Sequence, residues 1–343
     1  MLAQFDTQVH LAGLRHFAEP LAIAATVTLP QVDSLPERAR VFFALAGGGY
    51  SRGYFTERLP GPSSAAQARW HAERGAIFIA LELANASDAI TLNAAAEAFD
   101  AAASDLLVRL AHGELHEAFP PVLDPVRVGV GHSLGACVTI VQQAHHESFD
   151  GVVALGYSPY FNRLLAAPGE PEMVVPWLSR DIAPDLPGGM LNRSALGRAE
   201  DPAGDSRGWS AYAWTSYYDD VPRDVVEQDL SHFGYVGGRR RAGASDNLPW
   251  AGVKARSRLG GSALTPGIVA PEAAAITVPV LAAMGERDIV ADPRGEARCY
   301  ASTNSFELFI CQRMGHMHNF ASTRQILWQR IETFASGCAQ AAS

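Results

Sequence analysis

The sequence predicts an α/β protein: a doubly wound, mostly parallel sheet with a cap inserted into it. Three observations lead there. Nearly continuous apolar runs alternate with helical patterns from Val41 to Ser158, the rhythm of strands covered on both faces. The alternation stops at Pro159 and resumes at Thr277. It proceeds without an internal sequence repeat, as expected of βαβ units laid side by side.

Taken in order, LAIAATVTLP (Leu21 to Pro30) is β-prone and ends at proline, and VFFALAGGG (Val41 to Gly49) is an apolar run that stops in three glycines. AAQARWHAERG is helical in composition, and AIFIALEL (Ala76 to Leu83) reads as a buried strand. Thr91 to His112 is the longest helical pattern, its stripe made by Phe99, Leu106, Leu107 and Leu110. VRVGVGHS (Val126 to Ser133) is the next strand, followed by a helix from Leu134 to about His146 and a strand in GVVALGYS (Gly151 to Ser158). Between Pro159 and Ala275, Pro, Gly and Ser recur among aromatic stretches such as VVPWLSR and GWSAYAWTSYYDD. GGRRRAGASDNLP reads there as a surface loop. TVPVLAAMGERD (Thr277 to Asp288) and FELFICQRMGHMHNF (Phe306 to Phe320) each supply a strand and the loop after it. Thr323 to Phe334 closes the chain as an amphipathic helix with Ile326, Leu327, Ile331 and Phe334 inward. The expected division is a core of residues 1–158 and 276–343 around a cap of residues 159–275.

Composition narrows the function. In 343 residues, 27 Lys plus Arg face 36 Asp plus Glu, a net charge of −9 that argues against a nucleic-acid partner. A hydrophobic content of 48% is enough for a substantial core and excludes global disorder. Cys137, Cys299, Cys311 and Cys338 form no CxxC pair, so neither a disulfide framework nor a thiolate metal site is expected. No apolar run has transmembrane length, and MLAQFDTQVH lacks the basic-then-apolar character of a secretion signal. The expected location is the cytoplasm, and the oligomeric state is left open.

The strongest chemical signal is Gly131-His132-Ser133-Leu134-Gly135, a G-x-S-x-G pattern between a strand and a helix. Small residues at its ends let strand and helix approach while the serine occupies a sharp, strained turn at the carboxyl edge of the sheet. Ser133 is the candidate nucleophile; His132, at a strand end, is expected to point away from it and pack. A serine needs a base and an orienting acid, which in this chain order follow it. Asp288 is the expected acid, with Glu286 competing. The base comes from Met314-Gly315-His316-Met317-His318, with His316 preferred and His318 the alternative, which spacing cannot separate. Backbone N–H groups of Gly48 and Gly49, in the turn Gly47-Gly48-Gly49-Tyr50, and of Leu134 are the expected oxyanion donors. GGGYSRG lacks the G-x-G-x-x-G spacing, so no nucleotide cofactor is expected. His112, His145 and His146 are scattered, so no metal is expected either.

These segments together resemble the α/β-hydrolase fold superfamily. GGGYSRGYF looks like its glycine-rich oxyanion loop, GHSLG like its nucleophile elbow, GERD like its acid loop and GHMHNF like its histidine loop. The resemblance implies a triad of Ser133, Asp288 and His316, with Gly48, Gly49 and Leu134 around the oxyanion, and a cap that shapes the pocket. A serine in the elbow argues against haloalkane or epoxide hydrolysis, which resembles an aspartate-nucleophile scheme. The expected activity is hydrolysis of a carboxylic ester or lactone of a small to medium hydrophobic substrate through an acyl-enzyme. Amide, thioester or carbon–carbon hydrolysis could use the same groups, and a noncatalytic binding protein is the alternative from another class. Trp177, Trp209, Tyr212, Trp214, Tyr217, Tyr218 and Trp250 would line an apolar pocket or form the cap's own core.

Overall fold

A computed structural model describes residues 2–61, 65–83, 90–165, 167–169, 212–232, 235–236, 239–240, 248–252 and 258–341. Its centre is an eight-stranded sheet. The strands are β1 (Ala3–Leu11), β2 (Leu21–Leu29), β3 (Arg40–Leu45), β4 (Ala76–Leu83), β5 (Val126–His132), β6 (Gly151–Leu155), β7 (Val280–Arg287) and β8 (Phe306–Gly315). They lie in the order β1-β2-β4-β3-β5-β6-β7-β8. From β4 to β8 every pairing is parallel, whereas β2 runs antiparallel to both β1 and β4. The sheet is therefore mixed and mostly parallel. The opening residues, read only for the lack of a secretion signal, form edge strand β1; their alternating exposure suits a strand with one wetted face.

Period-two alternation divides the central strands between two cores. Val41, Phe43 and Leu45 of β3 face the helices α3 (Leu92–His112) and α4 (Leu134–His146). Phe42 and Ala44 face the opposite cluster, with α1 (Gly53–Thr56), α2 (Gln67–Ala72) and the closing helix. Thr91 caps α3 by accepting from the Ala94 N–H, and Gly113 ends it in the left-handed conformation. The α3 stripe is built largely of alanines alongside Phe99, Leu106 and Leu110; Leu107 is only partly buried.

Residues 212–216 are helical, and α5 (Arg223–Ser231) follows. Tyr235–Val236 pairs antiparallel with Arg239–Arg240, and the second of these lies in the stretch the sequence reads as a surface loop. The later part of the expected insertion, α6 (Arg258–Ala263) and α7 (Ala270–Ala275), contributes Leu259, Ala263 and Ala273 to the core cluster of α3 and α4. The closing helix α8 (Arg324–Ala341) buries Leu327, Ile331 and Phe334 as expected. Ile326 is a correction: it is 58% exposed, because Leu327, Trp328 and Ile331 occupy the inward stripe.

Two glycines set how closely strand and helix approach behind Ser133. A Cβ on Gly135 would lie 2.0 Å from the Leu45 carbonyl oxygen, and one on Gly131 would lie 2.3 Å from the Ala136 Cα. Both obstacles are backbone, which cannot rotate away. Gly135→Ala is expected to cost about 3 kcal/mol or more in urea unfolding, the upper range for overpacking. Gly337→Ala, in α8 with open space around its added Cβ, is expected to be neutral or to stabilise by up to about 1 kcal/mol through helix propensity.

Candidate functional site

Ser133 sits between β5 and α4 with φ 53° and ψ −117°, a backbone geometry costing about 1–3 kcal/mol for a non-glycine residue. Its N–H is held by the Leu155 carbonyl at 2.8 Å, and its own carbonyl accepts from Ala136 and Cys137 as α4 begins. The turn is thus fixed from the neighbouring strand and from the helix. Cys137 is fully buried, and burial pushes its thiol up to about 12, so it takes no part as a nucleophile.

Asp288 follows β7 and is 2% exposed. Its carboxylate accepts four N–H groups: Oδ1 from His316 Nδ1 at 2.6 Å and Ile289 N at 2.7 Å, Oδ2 from His318 Nε2 at 2.7 Å and Gly285 N at 2.9 Å. Burial pushes its pKa up, but the imidazole charges and hydrogen bonds outweigh this and hold it well below the usual carboxylate range. The magnitudes agree with that direction. Four bonds to a charged group at about 1.5–3 kcal/mol each exceed a desolvation penalty of several kcal/mol.

That carboxylate assigns the tautomers of both histidines. His316 donates from Nδ1 to Asp288 and presents Nε2 to Ser133 Oγ at 3.1 Å. His318 donates from Nε2 to the other carboxylate oxygen. The two histidines left open by spacing thus occupy different positions: His316 bridges acid and serine, while His318 holds the acid from its far side. Glu286 points elsewhere, exposed and accepting the Arg313 N–H at 2.9 Å.

His132, fully buried, lies beneath the histidine loop. Its Nε2–H donates to the His316 carbonyl at 2.8 Å, and its ring stacks on Tyr54 at 5.0 Å. Burial, then the charges of His316 and His318, hold its pKa well below the ordinary imidazole value. It is a neutral strut. Asn319 clamps the same loop with all its polar groups. It donates from its backbone N to Tyr54 Oη and from Nδ2 to the Tyr54 carbonyl, and accepts at Oδ1 from Trp328 Nε1 and at its carbonyl from Arg324. Gly156, with φ 55°, leaves room for the acid–imidazole pair, since a Cβ there would lie 2.9 Å from His316 Nδ1.

The glycine turn crosses the serine. A Cβ on Gly47 would lie 3.2 Å from Ser133 Cβ, so the turn touches the elbow at this residue, with Gly48 and Gly49 next in the chain. Gly49 has φ 86°, and its carbonyl accepts from Gly252 N and from His232 Nε2. Leu134 opens α4, where the first N–H groups have no partner within the helix and can serve an anion.

Residues 212–218 brace the opposite side. The Thr215 and Ser216 carbonyls accept the His316 and Met317 N–H groups at 2.8 and 2.9 Å. Arg287, one residue before Asp288, lies 3.5 Å from the Trp214 ring centroid and donates to the Tyr217 carbonyl and Asp219. Tyr217 and Trp250 are buried in the core cluster that holds Tyr50 and Tyr54. Trp177 and Trp209 lie outside the described residues. Sequence reasoning missed Gly156, Tyr54, Asn319, Arg287 and His232. Gly156 and Asn319 carried a signal, as a glycine ending a strand and an amide directly after the histidines.

No protein-family model and no curated protein matches the sequence. Solved structures are similar over nearly the whole chain. A thermophilic esterase from Thermogutta terrifontis superposes with TM-score 0.58 at 11% identity, covering 97% of this chain and 99% of that one. A peroxisomal α/β-hydrolase from Saccharomyces cerevisiae gives 0.56 at 12%, covering 99% and 90%. A haloalkane dehalogenase variant from Bradyrhizobium elkanii gives 0.55 at 11%, covering 98% and 99%. The chain has the α/β-hydrolase fold with a cap insertion.

The neutral burial of His132 has a signed consequence for stability. Its folded pKa lies below the unfolded value of 6.5, so below that pH the unfolded chain takes up a proton that the fold refuses. Compared with His132→Gln, the wild type is expected to lose up to about 1.4 kcal/mol of unfolding free energy per pH unit below 6.5. Urea unfolding of both proteins at pH 7.5, 6 and 5 checks this; a constant difference would contradict it.

Proposed function

We propose that the protein is a serine hydrolase of the carboxylesterase type that cleaves an ester or lactone of a small to medium hydrophobic substrate through an acyl-enzyme. The observation that carries the reading is the hydrogen-bonded line Asp288–His316–Ser133, with distances of 2.6 and 3.1 Å, ending at a strained strand-to-helix turn. In this reading His316 Nε2 takes the Ser133 hydroxyl proton as Oγ bonds to the substrate carbonyl carbon. Asp288 keeps Nδ1 protonated and stabilises the imidazolium that forms. The carbonyl π electrons move to oxygen, and backbone N–H groups of Gly48, Gly49 and Leu134 receive that charge. Collapse expels the alcohol oxygen, which takes the proton from His316, and water repeats the sequence to release the acid.

His318 belongs to the catalytic group only through Asp288: it occupies Oδ2 and so leaves Oδ1 to His316. The insertion, residues 159–275 by its sequence boundaries, is proposed to shape the pocket, with Trp214 and the aromatics around it supplying apolar walls. No helix among the described residues is long and apolar enough to cross a membrane. A cytoplasmic setting is part of the proposal, in keeping with Cys137, Cys299, Cys311 and Cys338 as free thiols.

The test is intact-mass labelling with a fluorophosphonate, paired with a panel of p-nitrophenyl esters, aryl amides and thioesters. One adduct on the wild type, absent in Ser133→Ala, is expected, together with a fall in kcat of at least ~10³-fold in Ser133→Ala and His316→Gln. His318→Gln is expected to retain more activity than His316→Gln, because it leaves the proton acceptor in place. Labelling that survives in Ser133→Ala would place the nucleophile elsewhere, and a folded wild type without adduct or turnover would turn the reading toward a binding protein.

A further inference from the structure

Asp229, on α5, is fully buried, and its contacts do not involve Ser133, His316 or Asp288. Its Oδ2 accepts from Tyr50 Oη at 2.6 Å and from Tyr217 Oη, and its Oδ1 accepts from Trp250 Nε1 at 2.7 Å. A carboxylate taken out of water on a helix whose other face is exposed is a costly placement, so its partners are informative. Tyr50 ends the glycine turn. Trp250 belongs to the segment that pairs with that turn: Ser51 N donates to the Trp250 carbonyl, Gly252 N donates to the Gly49 carbonyl, and Tyr50 and Ala251 form an antiparallel bridge. Tyr217 follows the carbonyls of Thr215 and Ser216 that hold the histidine loop. His232, three residues beyond Asp229, donates to the Gly49 carbonyl at 2.7 Å. One carboxylate thus gathers both chains of the pairing over the glycine turn and the segment that braces the histidine.

We infer that Asp229 is a positioning residue, acting through Tyr50 and Trp250 to hold the Gly47–Gly49 turn at the distance from Ser133 that the oxyanion requires. The inference rests on the serine-hydrolase reading. The catalytic groups remain Ser133, His316 and the backbone donors; Asp229 touches none of the reacting atoms. The ionised form does the holding, because three donors converge on it and a protonated carboxyl would turn one acceptor into a competing donor. The titratable groups facing it are Tyr50 from the glycine turn, Tyr54 from α1, and Tyr212 and Tyr217 from residues 212–218. All four tyrosines are pushed above their ordinary value, first by burial, with the Asp229 charge adding to it, and stay neutral. Burial also pushes Asp229 up to about 6, against the three hydrogen bonds that lower it. Its contribution to folding is therefore complete below the unfolded value of 3.8 and lost as pH rises through about 6. At neutral pH the fold retains the charge at a cost to stability, a pattern expected of a functional group rather than a packing one.

The experiment compares the wild type, Asp229→Asn and Tyr50→Phe in three measurements: steady-state hydrolysis of a p-nitrophenyl ester from pH 5 to 8, thermal midpoint, and hydrogen–deuterium exchange of the peptide covering residues 45–55. For Asp229→Asn at pH 7.5 the expected result is a fall in kcat of about 10-fold or more, as for a displaced oxyanion donor. KM should change less than about twofold, the thermal midpoint should not fall, exchange should accelerate in that peptide, and the acid limb of kcat should become shallower because one titrating group is gone. Tyr50→Phe, which keeps the carboxylate, should show the same local acceleration and carries the test if Asp229→Asn does not fold. Unchanged kcat and unchanged exchange would overturn the inference, as would a loss of kcat that only parallels a global loss of stability. A folded wild type that turns over no ester overturns the hydrolase reading instead, and the exchange result identifies that case separately.

Discussion

A buried carboxylate must be satisfied from every side or it will not remain charged, and the arrangement around Asp288 follows from that requirement. Its four donors come from three places: the β7 turn itself through Gly285 and Ile289, His316, and His318. With both oxygens occupied, the carboxylate fixes each imidazole in one tautomer, and the lone pair left on His316 points at Ser133. The strained backbone of Ser133 has meaning only in relation to that lone pair. Gly156, Gly131, Gly135 and Gly47 then read as clearance requirements, each at a point where a side chain would enter the acid–imidazole pair, the elbow or the turn over it.

The loops carrying these groups are held from outside as well as from the sheet. The histidine loop is tied to Tyr54, Arg324 and Trp328 through Asn319, to His132 through its carbonyl, and to Thr215 and Ser216 through its N–H groups. The glycine turn is tied to residues 249–252, His232 and, through Tyr50, Asp229. Residues 212–252 of the insertion, where described, therefore act as part of the frame and not as a detached cover. Rigid support of this kind would hold Ser133, His316 and Asp288 within a few tenths of an ångström, as the orientation-dependent chemistry proposed for them needs.

Much of this was legible in the sequence, for identifiable reasons. Strands buried on both faces leave continuous apolar runs, so Val41, Ala76, Val126 and Gly151 marked true strand starts to within a residue. GHSLG was legible because steric limits at the elbow force small residues at fixed offsets. β1 carried a signal that was not read: AQFDTQVHL alternates Ala, Phe, Thr, Val and Leu with Gln, Asp, Gln and His, the period of a strand with one wetted face. His316 and His318 could not be separated because both truly contact Asp288; their difference lies in which nitrogen does so. Asp229 left no trace, since an aspartate in a polar helix looks solvated until the tyrosines and tryptophan that cover it are brought from distant segments.

The central claim is that one carboxylate sets the imidazole tautomers, and nitrogen NMR of 15N-histidine-labelled protein at alkaline pH, assigned with single His→Gln variants, reads those tautomers directly. The account predicts His316 protonated at Nδ1, and His318 and His132 protonated at Nε2. His316 protonated at Nε2, or His318 at Nδ1, would contradict it, because the lone pair facing Ser133 would then belong to a different nitrogen or to none.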